Sequence, residues 1–266
     1  MAPGQGSKTY LYYPGCTLKT KAKELDLYAR KSMEALGIEV NEPEEWQCCG
    51  AVYPLAQDEI AVRLSSVRTL HEAEKTQSSL LTLCSACHHV IKRVNHDIAK
   101  NDDIRTKANN YLALETPYTG TSQVIHFLEM LRDAVGFSEL KNYVVKPLSG
   151  RKIGAYYGCM LLRPNDVMQF DDPENPSIME GFINALGAEF IVFSYRNECC
   201  GSHAALDDKN MVTGFCDNIL ESARQKGVEA LVTACPLCRY NLTKNVTNQL
   251  PVYYFTELLA EALGVK

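Results

Sequence analysis

Residues 47–51 read Gln47-Cys48-Cys49-Gly50-Ala51, and residues 198–202 read Glu198-Cys199-Cys200-Gly201-Ser202. Two adjacent cysteines followed by glycine are unusual, and here the pattern occurs twice. Each copy has a lone cysteine upstream, Cys16 or Cys159, and a Cys-x-x-Cys downstream, Cys84/Cys87 or Cys235/Cys238. Ten of the eleven cysteines fall into these two sets, and only Cys216 stands outside them. Scattered buried cysteines would not produce two five-member sets in the same order.

Aligning the cysteines exposes a wider repeat. Tyr12-Tyr13-Pro14-Gly15-Cys16 answers Ala155-Tyr156-Tyr157-Gly158-Cys159. Ala35-Leu36-Gly37-Ile38-Glu39-Val40 answers Ala185-Leu186-Gly187-Ala188-Glu189-Phe190, and the block from Val124 to Leu131 answers that from Val252 to Leu259. The chain therefore reads as two duplicated domains, 8–145 and 151–266, joined by a linker at 146–150. Thirty-four residues separate the CC pair from the Cys-x-x-Cys in both halves, but 31 separate Cys16 from Cys48 and 39 separate Cys159 from Cys199. The longer second loop holds Arg163-Pro164-Asn165-Asp166 and Asp171 to Pro176, while the first half carries an insertion from about Asn101 to Thr121.

Local patterning gives the same beat twice. Tyr10 to Tyr13 reads as a strand ended by Pro14-Gly15. Ala22 to Leu36 reads as a helix stopped by Gly37, with Ile38-Glu39-Val40 opening the next strand. Asp58 to Lys75 is helical, Leu80 to Leu83 is a buried strand running into Cys84, and Ala86 to Ala99 is helical. In the second half Lys152–Tyr157, Phe190–Phe193 and Leu231–Thr233 read as strands, and Pro176–Leu186 and Asp208–Lys226 as helices. Alternating strands and helices predict an α/β fold with a small parallel sheet in each half. The cysteines then fall past the carboxyl ends of strands, where open α/β sheets place their ligands.

Composition narrows the function. A hydrophobic content of 46% with 22% charged residues describes an ordinary globular chain. A net charge of -5 argues against non-specific nucleic-acid binding, which needs a cationic surface. No run approaches the roughly 18 apolar residues of a membrane span. The N-terminus, Met1 to Ser7, is short and polar with no signal-peptide core. Eleven cysteines without an export signal point to a reducing, cytoplasmic setting and to metal or redox chemistry rather than disulfides.

Zinc is the first metal to weigh. Four thiolates close its tetrahedral site, so a fifth has no place, and adjacent cysteines on extended backbone diverge. An ordinary cubane iron–sulfur cluster usually uses a compact run of cysteines that is absent here. A multi-iron sulfur cluster with about five thiolates per half suits the pattern, because neighbouring thiolates reach different irons. Glycine after the pair permits a tight turn close to inorganic sulfide. The residues alone leave the cluster's shape open.

Over nearly the whole chain, these motifs resemble the CCG-domain (cysteine-rich domain) family, and within it the catalytic B-type chain of heterodisulfide reductase. The resemblance implies two pseudo-two-fold-related CCG domains and two noncubane [4Fe-4S] clusters. Cys16, Cys48, Cys49, Cys84 and Cys87 would ligate one cluster, and Cys159, Cys199, Cys200, Cys235 and Cys238 the other. It implies that a disulfide, CoM-S-S-CoB of methanogenesis or a related thiol disulfide of anaerobic metabolism, is split between the clusters with one electron from each side. Disulfide reduction is a two-electron process, which two matched one-electron centres satisfy. No cubane ferredoxin motif occurs in this chain, so electrons come from partners. The resemblance names a C-type subunit with cubane [4Fe-4S] clusters and a flavin-containing A-type subunit. Two other readings stand beside this one. One is an electron-transfer subunit of a lactate, glycolate or succinate dehydrogenase-like complex, and the other is a zinc-stabilised scaffold.

No catalytic residue beyond the clusters is assigned. His203, two residues past Gly201, is a weak candidate for proton donation. His88 and His89 read as solvent-exposed. Lys19, Lys21 and Arg163 read as surface charges that could line a pocket mouth for an anionic thiol substrate. Cys216 reads as buried packing. Trp46 either shields the first cluster or packs in the core, and Met160, Met211 and the nearby tyrosines read as packing.

Overall fold

Each half builds a four-stranded, all-parallel sheet, with strand order β2-β1-β3-β4 in the first and β6-β5-β7-β8 in the second. The computed structural model describes residues 9–51 and 58–266. The polar stretch Met1 to Ser7 and the expected domain start at residue 8 lie outside them.

The first half runs β1 (Tyr10–Tyr13), α1 (Cys16–Thr20), α2 (Lys23–Ala35), β2 (Val40–Asn41), α3 (Ala61–Lys75), β3 (Ser79–Thr82), α4 (Ser85–Lys100) and α5 (Asp102–Leu112). It closes with β4 (Val124–His126), α6 (Phe127–Met130), a π-helical turn and α7 (Phe137–Tyr143). The second half runs β5 (Lys152–Tyr156), α8 (Asn165–Met168), α9 (Ile178–Ala185), β6 (Glu189–Phe190), a 3-10 turn at Ser202–Ala204 and α10 (Lys209–Gln225). Then come β7 (Ala230–Thr233), α11 (Pro236–Lys244), β8 (Val252–Tyr254) and α12 (Phe255–Ala262).

The sequence accounts for most of these elements. On α2, Leu25, Ala29, Ser32 and Met33 make one buried stripe at helical spacing. Asp208 caps α10 by accepting from Met211 N at 2.9 Å. The matched blocks near the end of each half are a strand feeding a capped helix. Glu129 accepts from His126 N, and Glu257 from Tyr254 N, each at 2.7 Å. Those blocks contain β4 and β8, two strands that periodicity misses because each is only three residues long. The first-half insertion forms α5, capped by Asn101. The strand expected at Phe190–Phe193 is shorter, Glu189–Phe190, because it lies at the sheet edge and leaves Phe190 and Val192 44% and 49% exposed.

The halves share a core. One apolar cluster joins Tyr13, Leu25, Leu80 and Phe127 to Tyr157, Leu162, Phe182, Phe255 and Leu258. Helix α12 packs on α2, where Thr256 Oγ1 donates to Leu25 O at 3.0 Å. A smaller cluster, with Phe193, Val212, Leu220 and Leu242, lies beneath the second cysteine set. The 146–150 segment is pinned, with Leu148 buried and its N–H bonded to Leu186 O.

His126 is fully buried with both ring nitrogens used. Nδ1 accepts from Leu128 N at 3.2 Å and Nε2 donates to Leu83 O at 3.1 Å. Burial pushes its pKa down to about 3. It is neutral in the folded chain and protonated in the unfolded chain below its ordinary value near 6.5. Its contribution is therefore present above pH 6.5 and is lost as pH falls toward 3. We expect His126→Asn to flatten the acid side of the stability profile between those limits. The slope of unfolding free energy against pH should fall by about 1.4 kcal/mol per pH unit, one proton's worth, measured by urea denaturation at several pH values.

Candidate metal centres

Both five-thiol sets assemble, and in the same way. Cys48 Sγ lies 3.3 Å from Cys16 Sγ, and its neighbour Cys49 lies 3.4 Å from Cys87 Sγ. In the second half Cys159 lies near enough to Cys199 to draw its thiol down, and Cys200 Sγ lies 3.5 Å from Cys238 Sγ. Cys84 and Cys87 bracket the first turn of α4, and Cys235 and Cys238 that of α11. Cys49, Cys84, Cys87, Cys200, Cys235 and Cys238 are buried, and Cys16, Cys48, Cys159 and Cys199 are half-buried. None of the ten is paired in a disulfide.

Backbone conformation makes this convergence possible. Gly50 and Gly201, which end the CC pairs, have φ of 78° and 72°. Gly15 and Gly158, before the lone cysteines, also have positive φ. A Cβ at Gly15 would sit 2.9 Å from Cys87 Sγ, and one at Gly158 would sit 3.3 Å from Cys238 Sγ. Cys84 and Cys235 occupy the N-caps of α4 and α11, so the positive helix ends face the sulfurs.

Four thiols, Cys49, Cys199, Cys200 and Cys235, are drawn toward the ligand form, while the cysteines that hydrogen-bond or crowd them, Cys48, Cys84, Cys87, Cys159 and Cys238, are pushed up. Hydrogen bonds from Cys48 and Cys87 draw Cys49 down to about 3. Cys159, then Gly201 N and His203, draw Cys199 down to about 6. Thiolate is the metal-binding species.

The two sites meet. Cys84 and Cys235 lie near enough to perturb each other, Cys84 being pushed up and Cys235 drawn down. Around that contact Ser85 donates from both N and Oγ to Ala234 O, at 3.1 and 2.7 Å. Tyr254 OH lies 2.6 Å from Leu83 O and 3.2 Å from Ala234 O. Each turn is thus held by a group from the other half.

Tyr13 and Tyr156, read from sequence as packing, have a further task. Tyr13 OH donates to Gln47 O at 2.5 Å and Tyr156 OH to Glu198 O at 2.7 Å, fixing the carbonyl just before each CC pair. The signal for both is an identical position before the lone cysteine in each half. Met160 and Tyr157, also read as packing, line the second site together with Ser85, Ser202 and His203. His203 is exposed beside Cys199. His88, expected at the surface, is fully buried. It lies on the apolar face of α4 with Ile91 and Ile98, and its Nδ1 lies 2.8 Å from Thr82 Oγ1. His89 is half-buried against Met160 O at 3.0 Å. Lys19 pairs with Glu42 at 2.7 Å, and Arg163 donates to Asn197 O at 3.0 Å, so both are engaged within the fold; Lys21 is exposed. Trp46 is half-buried and packs edge-on against Tyr13. Cys216 is buried, with its thiol pushed up to about 12 by burial. Met211 is 40% exposed and so is not core packing.

The model of the CCG cysteine-rich domain matches residues 10–92 and again 153–243. The chain belongs to the cysteine-rich domain family. Among its relatives is the 8-methylmenaquinol:fumarate reductase membrane anchor subunit of Wolinella succinogenes, 33% identical, with 97% of this chain and 93% of that protein covered. Another is the B-type chain of the ferredoxin:CoB-CoM heterodisulfide reductase of Methanosarcina mazei, 25% identical, with 94% and 87% covered. A hypothetical protein from Helicobacter pylori shares the fold with a TM-score of 0.71 at 12% identity, and 98% of this chain spans half of that chain's length. Among the described residues no helix is long and apolar enough to cross a membrane.

Tyr254→Phe removes one buried hydroxyl at the junction while Leu83 O keeps His126 as a donor. We expect a loss of about 1 kcal/mol in urea denaturation. Tyr240→Phe, at a residue 61% exposed, should change nothing measurable.

Proposed function

We propose that the chain is the cluster-bearing subunit of a multisubunit oxidoreductase of heterodisulfide-reductase type, and that it splits a small-molecule disulfide between two noncubane [4Fe-4S] clusters. The observation that carries this reading is the junction at Cys84 and Cys235, where Ser85 donates to Ala234 O and Tyr254 to Leu83 O, bringing two equivalent five-thiol sets edge to edge. Cys16, Cys48, Cys49, Cys84 and Cys87 would hold one cluster, and Cys159, Cys199, Cys200, Cys235 and Cys238 the other. The donor sets fit such groups. They are all sulfur, and Gly15 and Gly158 leave room beside Cys87 and Cys238 that a Cβ would fill. The name of the Methanosarcina mazei relative supports the same class.

The clusters would supply one electron each and irons that take up product thiolates. The chain's own residues hold the two sites in contact through Tyr254 and Ser85, and Tyr157 and Met160 wall the second site. In the balanced reaction the S–S bond breaks, two electrons enter from partner subunits and two protons from water complete two thiols. The partners in this reading are a C-type subunit with cubane clusters and a flavin-containing A-type subunit. The disulfide is CoM-S-S-CoB or a related thiol disulfide, and the setting is cytoplasmic.

The Wolinella succinogenes relative favours a second reading, electron relay within a fumarate-reductase-like complex. The two separate experimentally. Protein purified anaerobically should carry about eight irons and eight labile sulfides; zinc, or iron for one cluster only, contradicts both readings. Adding a thiol disulfide to the reduced protein should consume it and give a new paramagnetic species, while an unchanged spectrum favours relay. Gly15→Ala, whose Cβ would press on Cys87 Sγ, should lower bound iron toward half.

A further inference from the structure

The repeat lets the two sites be compared residue by residue. Spacing from the CC pair to the Cys-x-x-Cys is the same in both halves, so each position between has a counterpart. The cysteines and the backbone amides match. Gly50 N serves Cys48 and Gly201 N serves Cys199, while Ala51 N serves Cys49 and Ser202 N serves Cys200. The side chains around them do not match. On α11, Asn241 follows Cys238 by three residues; on α4 the same place is Val90. One turn further, Asn245 answers Val94.

Asn241 is 1% exposed. Its Nδ2 donates to Cys200 Sγ at 3.8 Å and to Cys200 O at 3.2 Å. Asn245 Nδ2 donates to Asn241 Oδ1 at 3.0 Å, which fixes the amide with its N–H groups toward the cysteine. Val90 and Val94 offer no donor. Among the described residues, the first set's side-chain contact from a non-cysteine is Thr17 Oγ1, 3.9 Å from Cys16 Sγ at a half-exposed position where water competes.

A hydrogen bond to a cluster's cysteine sulfur withdraws negative charge and stabilises the reduced state, raising the reduction potential. We propose that Asn241 holds the second site's potential above the first's, so that an electron delivered to the chain comes to rest at the second site. This rests on the two-cluster reading.

The test is a redox titration of the full, anaerobically purified chain, followed by electron paramagnetic resonance, with iron counted in each sample. Wild type should show two separate one-electron waves. Asn241→Val should move the more positive wave downward by about tenfold in its reduction equilibrium, about 59 mV for one electron, the weight of one charge-assisted hydrogen bond. The other wave should stay. Val90→Asn should move the lower wave upward, and it carries the test alone if Asn241→Val loses iron. Full iron with coincident wild-type waves, or with waves that neither substitution moves, overturns this inference and leaves the two-cluster reading standing. Iron for fewer than two clusters in wild type overturns both.

Discussion

The two Cys-x-x-Cys turns lean against each other, and the rest of the molecule is arranged around that contact. Cys84 and Cys235 meet at the N-termini of α4 and α11. The carbonyls just before them, Leu83 O and Ala234 O, are claimed by Tyr254 and Ser85 from opposite halves. Buried carbonyls need donors, and here each turn takes a donor from the other half, Leu83 O accepting from His126 of its own half as well. Neither turn can shift without leaving a partner unpaired, at about 1–3 kcal/mol for each buried group stranded. The turns after β3 and β7 of the two parallel sheets thus face each other.

The differences between the halves serve the same contact. The longer second loop lies on the first half, where Lys92 Nζ donates to Met168 O and Arg132 donates to Phe170 O. Its return is anchored by buried Arg196, which pairs with Glu180 and reaches Asn175 and Pro176 O. Breaking such a pair costs about 3–5 kcal/mol. The first-half insertion folds outward instead. Asn109 exchanges hydrogen bonds with the Tyr118 backbone, and Tyr118 OH bonds Asn95. One insertion clamps the halves together and the other covers a flank.

The architecture was legible because duplication writes the same constraint twice. The paired CC motifs, the glycines beside them and the alternation of strand and helix all led to two parallel sheets with thiols at their ends. What stayed hidden depends on tertiary contact. Nothing in Cys48-Cys49 says that the first faces Cys16 and the second Cys87. His88 looked like a residue on a surface helix, yet its spacing to Ile91 and Ile98 already placed it on the buried face. Tyr13 and Tyr156 looked like packing because a hydroxyl's partner, a carbonyl 34 or 42 residues away, is not a sequence pattern. Asn241 became visible only when one half was laid on the other.

The central claim is that ten cysteines form two multi-iron centres that meet at Cys84 and Cys235. Anomalous diffraction at the iron edge, from crystals grown without oxygen, tests it most directly. The account predicts two groups of iron peaks, one within Cys16, Cys48, Cys49, Cys84 and Cys87 and the other within Cys159, Cys199, Cys200, Cys235 and Cys238, with the Cys84 and Cys235 sulfurs between them. A single metal peak in each half, or a signal at the zinc edge instead, would contradict it.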